Sequence, residues 1–275
     1  MRQQVMRERA QVGGGTIAYR RSGSGEPILL VHGGLLVDGA LPLADELAAR
    51  HAGQVIYIHR RGFGASSPPE GLHAMGDWAA DVVGVLDHLG IDRADIVGHS
   101  IGGAIAVQLA LDAPSRVRGL ILLEPPLPSL IPSGPQLLEG LSVIRDLADA
   151  GDRVAAVEAG LSGVFGPDYR ADIERALPSG AIEQAVKDVD TFASHEIEAL
   201  TRWRLTDTDL GSLRLPVLSV RGSDTLAAFA ESDGVLAASV PGIENISVPG
   251  ATHALSYTHA TVAAAHIAAF LARRK

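Results

Sequence analysis

The sequence contains no cysteine. Disulfides, thiolate nucleophiles and cysteine-ligated metal centres are excluded together, and the absence suits a reducing, cytoplasmic compartment. Long apolar runs are missing too. No stretch approaches the roughly 20 residues that span a bilayer, so no membrane partner is expected. The first ten residues, MRQQVMRERA, have no apolar h-region, and a cleaved secretory leader is not expected either. Positive charge is in deficit. With 23 Lys and Arg against 32 Asp and Glu, the net charge is −9, which leaves no electrostatic footprint for nucleic acid or an anionic membrane. No internal repeat or low-complexity tract interrupts the chain.

What remains is the composition of a globular protein, 47% hydrophobic and 20% charged over 275 residues. That length fits one large domain, or a core domain carrying a sizeable insertion. Short apolar runs predict strands at residues 16–20, 27–33, 54–60, 94–99, 119–124, 216–222 and 244–250. Most are continuous rather than alternating, as expected where both faces of a parallel sheet are covered. Amphipathic segments at 43–51, 78–90, 101–114 and 261–274 predict helices between and after them. Strand and helix in alternation predict an α/β architecture with a mostly parallel sheet. Gly13-Gly14-Gly15 predicts a hairpin turn, because no helix follows it to make a phosphate loop.

The alternation breaks between Leu127 and Leu210, where the pattern is helical and 15 acidic residues stand against 7 basic ones. The chain thus divides into a core, residues 1–126 and 211–275, and a helical cap, residues 127–210. The segment leaves from the C-terminal end of a strand, the end at which α/β folds bind ligands, so it is expected to lie over a site as a lid.

Four loops carry chemistry. In DIVGHSIGGAIAV, Gly98 and Gly102 flank Ser100 as Gly-x-Ser-x-Gly, between a predicted strand and a predicted helix. That pattern describes a sharp turn presenting a hydroxyl above the sheet, with helix N-terminal amides nearby to stabilise an oxyanion. In LLVHGGLL, a His-Gly-Gly turn follows a buried strand, and the amides of Gly34 and Ile101 are the candidate oxyanion donors. SVRGSDT places Asp224 just past a strand, and SVPGATHAL places His253 after the last one.

Together His32-Gly33-Gly34, RRGFGASS (60–67), GHSIGG (98–103), LEPP (123–126), GSD (222–224) and GATH (250–253) resemble the α/β-hydrolase superfamily over about residues 19–270. The resemblance implies the α/β-hydrolase fold with a helical cap inserted after the sixth strand. It further implies a triad in the order Ser100, Asp224, His253, in which serine attacks, histidine is the base and the acid orients it. Some relatives carry the acid at the strand end occupied here by Glu124; Asp224 is preferred because its Gly-Ser-Asp turn matches the commoner arrangement. One departure is His59, where many relatives have an aspartate; either it replaces a structural turn residue, or His59 and Arg60 influence the pocket. Leu35, His59 and Trp203 are candidate pocket residues, as is His195 in the cap, while His99 is read as packing.

No cofactor and no metal are implied; His259 and His266 are seven apart on a helix, with no carboxylates to complete a metal site. The expected partner is a small, neutral substrate, with the oligomeric state open. Serine at the elbow argues for hydrolysis of an ester or related acyl bond through an acyl-enzyme. Carbon–carbon bond hydrolysis, cofactor-free perhydrolysis and a non-catalytic ligand-binding receptor on the same fold remain as alternatives.

Overall fold

Eight strands form one sheet, in the order β1-β2-β4-β3-β5-β6-β7-β8. They are β1 (Glu8–Val12), β2 (Gly15–Ser22), β3 (Pro27–Val31), β4 (Gln54–Ile58), β5 (Ala94–His99), β6 (Val117–Leu123), β7 (Val217–Gly222) and β8 (Glu244–Val248). β1 and β2 run antiparallel to their neighbours; every other pairing is parallel. The computed structural model describes residues 8–50 and 53–274. Residues 1–7, which supplied most of the leader-peptide argument, lie outside it, as does His51 at the end of one predicted helix. Among the described residues, no helix is long and apolar enough to cross a membrane.

The continuous apolar strands are explained by their two covered faces. In β3, Ile28 and Leu30 pack with α1 (Leu41–Arg50) and the last helix, whereas Leu29 and Val31 pack on the opposite face with α2 (Met75–His88) and α3 (Ile101–Asp112). With side chains alternating across a strand, every residue of such a run must be apolar. The sequence pattern missed β1. ERAQV buries only Ala10 and Val12 fully, and it becomes a strand because the Gly13-Gly14 turn folds it onto β2. Both glycines have positive φ, 52° and 80°, the requirement of a two-residue hairpin turn of the primed type.

Between β6 and β7 the chain forms no strand. It makes α4 (Gly134–Asp149), α5 (Arg153–Phe165), α6 (Tyr169–Ala176), α7 (Ala181–Thr191), one π-helical turn (Phe192–Glu196), α8 (Ile197–Arg202) and α9 (Asp207–Ser212). From α4 through α8 these helices share a hydrophobic cluster with Leu35, Leu36 and Val37 from the loop after β3, so the cap is seated on that loop. The remaining helices are α10 (Ala227–Ser239), which the sequence pattern did not predict, α11 (Leu255–Thr258) and α12 (Ala260–Ala272). The turn after β4 is pinned by two arginines facing opposite ways. Arg61 makes a bidentate pair with Asp81 of α2, at 2.6 and 2.8 Å, and donates to the Val12 carbonyl. Arg60 turns inward, toward the loop after β3.

Candidate active site

Ser100 sits between β5 and α3 with φ 54° and ψ −128°, in a region that L-residues rarely occupy. The glycines around it are required by close approach. A Cβ on Gly98 would lie 2.4 Å from the Gly102 carbonyl oxygen, and one on Gly102 would lie 2.4 Å from the carbonyl oxygens of Val31 and His32. The strand and helix therefore cross nearly in contact, and the residue between them is thrust out at the sheet's C-terminal edge. Ile101 begins α3, so its amide has no carbonyl within the helix to bond.

His253 follows β8 and is buried. Its Nδ1–H donates to Oε2 of Glu124 at 2.5 Å, which fixes the tautomer and leaves Nε2 as the proton acceptor. Phe229 stacks on the ring, 3.8 Å between centroids and 10° between planes, so the imidazole is held in orientation as well as in protonation.

The carboxylate on the histidine is thus Glu124 and not Asp224, a correction to the sequence expectation. Asp224 is exposed at its turn, where it accepts from the Ser223 hydroxyl at 2.6 Å. Glu124 immediately follows β6 with φ 49° and is almost wholly buried, accepting also from the Gly222 amide at 2.7 Å and the Thr225 hydroxyl at 2.9 Å. Burial alone would push its carboxyl up; the His253 ring, the Gly222 amide and the Thr225 hydroxyl outweigh that and hold it below the ordinary glutamate value. The Gly-Ser-Asp-Thr turn does reach that carboxylate, but through the Gly222 amide and the Thr225 hydroxyl rather than through the aspartate.

Ser100, Ile101, Gly34, Leu35 and His253 line one cavity of about 60 Å³. The cap closes it from above with Leu137, Leu141, Phe165 and Phe192. No Asp, Glu, Lys or Arg is among the lining residues, so an occupant meets hydrocarbon, one hydroxyl, imidazole and backbone. His99 lines it too, rather than merely packing along the strand. It is buried and donates from Nε2 to the His253 carbonyl at 3.0 Å, and burial together with the neighbouring imidazole pushes it down to about 3.

Two other expected pocket residues lie elsewhere. His59 is spent on the turn after β4: Nε2 faces Asp38 at 3.2 Å, Nδ1 accepts from the Ala65 amide at 3.3 Å, and the ring packs where Gly64 leaves room. It serves as the structural replacement. Trp203 donates to Gln108 at 2.7 Å and packs against α3, away from Ser100. His195 likewise does not line the cavity. Among the described residues, no group of three or more His, Asp or Glu side chains is arranged to hold a metal ion.

Residues 26–260 match the family profile described as the alpha/beta hydrolase fold. A 2-(acetamidomethylene)succinate hydrolase of Mesorhizobium japonicum is 28% identical over 255 residues, covering 89% of this chain and 87% of its own. A 2-hydroxymuconate semialdehyde hydrolase of Pseudomonas putida is 40% identical over 103 residues, a local likeness covering 37% of each chain. Among solved structures, the enol-lactonase of Burkholderia xenovorans superposes with a TM-score of 0.79 at 25% identity, over 96% of this chain and all of that one.

Proposed function

Because the chain belongs to the alpha/beta hydrolase fold family, we propose that it is a serine hydrolase cleaving an ester or related acyl bond of a small, neutral substrate. The observation that carries this reading is the bond from His253 Nδ1 to buried Glu124, in a cavity that also contains the strained Ser100. Ser100 Oγ attacks the acyl carbon while its proton passes to His253 Nε2. The amides of Gly34 and Ile101 receive the developing oxyanion. As the bond to the leaving group breaks, the imidazolium returns that proton to it. Water, deprotonated by the same nitrogen, then adds to the acyl-enzyme, and the Ser100 hydroxyl leaves with the free acid formed. Glu124 holds the ring in the productive tautomer and offsets its positive charge.

Carbon–carbon bond cleavage is the second reading, supported by the local likeness to the semialdehyde hydrolase. It fits less well, because the uncharged cavity offers no Arg or Lys to a carboxylated substrate. Fluorophosphonate labelling tests the main reading and separates it from a ligand-binding receptor. The wild-type protein is expected to be labelled at Ser100 and to hydrolyse short aryl esters; Ser100→Ala is expected to lose both while keeping its Tm. An unlabelled wild-type protein, or Ser100→Ala with kcat within about tenfold of wild type, would sink the serine mechanism. A vinylogous diketone cleaved faster than every ester in the panel would transfer the site to carbon–carbon chemistry.

A further inference from the structure

Arg60 and Glu196 form a buried ion pair beside the site, with no part in the proton relay. Arg60 lies in the turn after β4, and Glu196 closes the π-helical turn of the cap. The guanidinium also spans two carbonyls of the loop after β3. Nε donates to His32 O at 3.1 Å and Nη2 to Gly33 O at 2.8 Å. His32 reinforces this: its Nε2 accepts from the Arg60 amide at 3.0 Å, leaving Nδ1–H to donate to Gly33 O at 2.7 Å. Burial and the adjacent guanidinium keep that imidazole neutral, well below its ordinary value.

The geometry of the peptide bond turns this into a statement about the site. The Gly33 carbonyl and the Gly34 N–H belong to one planar unit, and in a trans peptide they point in opposite directions. Two donors draw the carbonyl toward Arg60 and His32, so the N–H is directed the other way, and Gly34 borders the Ser100 cavity. The loop does not hold this shape unaided. Leu35 has φ 60°, and the Leu36 amide bonds back to the Gly34 carbonyl at 2.7 Å, a three-residue turn that is rare for a residue with a side chain. The cap meets the same structure at several points. Phe192 lies so close to Gly34 that an added Cβ would be 2.3 Å from its ring. The Asp188 carboxylate accepts from the Gly64 amide at 2.9 Å, and the Thr191 hydroxyl donates to Gly62 O at 2.9 Å.

We propose that Arg60 is a positioning residue for the Gly34 oxyanion donor, and that Glu196 makes its grip conditional on the seating of the cap. This rests on the acyl-transfer reading of the Ser100 site. When the cap is seated, Glu196 neutralises the guanidinium and anchors its far end, and the near end orients the Gly33–Gly34 peptide. When the cap lifts, the guanidinium loses its counter-charge, and the strained loop loses both Phe192 and a fixed arginine. The oxyanion site is thereby completed over an enclosed substrate.

Three variants test this: Glu196→Gln, Arg60→Lys and the double change Arg60→Met with Glu196→Met. The double change removes both charges together and so avoids leaving one buried alone, which keeps the fold testable. Lysine preserves charge but is a point donor that cannot span two carbonyls. Losing an oxyanion donor costs on the order of 10² to 10³ in kcat, and the folded double variant is expected to fall by about 10² with KM changed less than about threefold. Affinity for an aryl boronic acid, whose tetrahedral adduct places an oxygen in the same site, is expected to fall in parallel with kcat. Glu196→Gln is expected to fall by about tenfold, and Arg60→Lys to lie between them. A folded double variant with wild-type kcat and boronate affinity would overturn the proposal and leave the pair a structural tie. Crystal structures of the double variant supply a readout independent of turnover. A rotated Gly33–Gly34 peptide supports the proposal, and an unrotated one overturns it, even if the wild-type protein proves unreactive to fluorophosphonate and the ester reading fails by itself.

Discussion

Two carboxylates lie buried close behind the residues that line the Ser100 cavity, and they are held in unlike ways. Glu124 accepts from an imidazole, a backbone amide and a threonine hydroxyl, all supplied by loops at the ends of core strands. Glu196 has one cationic partner, Arg60, and the two come from different parts of the chain, the cap and the turn after β4. A carboxylate with three donors is fixed by the sheet whether or not the cap is seated. A carboxylate paired across the cap boundary is held by the contact between the two parts. The first arrangement suits a group needed in every step of the proposed acyl transfer, and the second suits the proposed coupling of Arg60 to the seating of the cap. Both carboxylates escape the penalty of an unpaired buried charge, but only Glu124 does so with a fully built hydrogen-bond shell.

The sharpest way to break the comparison is to neutralise each side in turn. Glu124→Gln keeps an oxygen for the Gly222 amide but turns an NH2 toward His253 Nδ1, which favours the wrong tautomer, and is expected to depress kcat by about 10² to 10⁴. Asp224→Asn, at an exposed turn, is expected to stay within about threefold of wild type, since surface changes away from special features are nearly neutral. Steady-state kinetics on one aryl ester would compare them. If Asp224→Asn proved the more damaging, the triad acid would return to Asp224. If Glu196→Gln matched Glu124→Gln, the distinction between a core-held and a cap-held carboxylate would fail.

The error over the acid shows where reading the sequence stops. The elbow was legible because Gly98 and Gly102 are demanded by backbone contacts between adjacent segments, a local requirement that leaves a local signature. Which of two carboxylates meets His253 depends on the direction a turn points its side chains, and spacing does not encode that. Asp224 and Thr225 are one residue apart, yet one faces solvent and the other reaches Glu124. A signal for Glu124 was present all the same. A lone charged residue closing a buried apolar run, GLILLEPP, must find partners inside the protein. Arg60 stood out only as the neighbour of the departing His59; its partner could not be read, because Glu196 lies 136 residues away, in a segment readable only as helical and acidic. β1 escaped for the opposite reason: its strand character comes from the neighbour that the glycine turn brings to it.

A smaller effect concerns acid. His99 stands against the His253 carbonyl on the Glu124 flank, neutral and pushed down to about 3, chiefly by burial. In the unfolded chain it titrates near 6.5. Below that pH the unfolded chain takes up a proton that the folded protein refuses, so this contribution is complete above about 6.5 and is lost progressively as pH falls toward 3. At most, the slope is about 1.4 kcal/mol per pH unit for one such group. His99→Gln, which keeps a donor for the carbonyl, is expected to flatten the fall in stability between pH 6.5 and 5 without abolishing it, because buried His32 on the Arg60 flank acts in the same direction. Urea unfolding of the wild-type protein and His99→Gln at pH 7 and pH 5 would decide, and an unaltered slope in His99→Gln would remove the histidine from the account.

The smallest effect separates the buried charges from the exposed ones. Glu124 and Glu196 are shielded from salt by burial, whereas most of the 15 acidic residues of segment 127–210 stand on helices that meet solvent, against only 7 basic ones. Arg202 is paired with Glu198, and Arg204 donates to the carbonyls of Thr201 and Trp203; neither lines the Ser100 cavity. An approaching anion therefore meets a net negative field and finds no cation inside. A neutral ester is expected to show a several-fold higher kcat/KM than a carboxylated ester of equal length at low salt. The gap is expected to narrow as salt rises, since exposed charges are screened beyond about 10 Å at 0.1 M. It should not close, because the lining still offers a carboxylate no cation, and that residue of selectivity is the part owed to the cavity rather than the field. If the carboxylated ester were preferred at low salt and the preference vanished on replacing Arg202 or Arg204, the cap would contain an anion receptor and the substrate class would change with it.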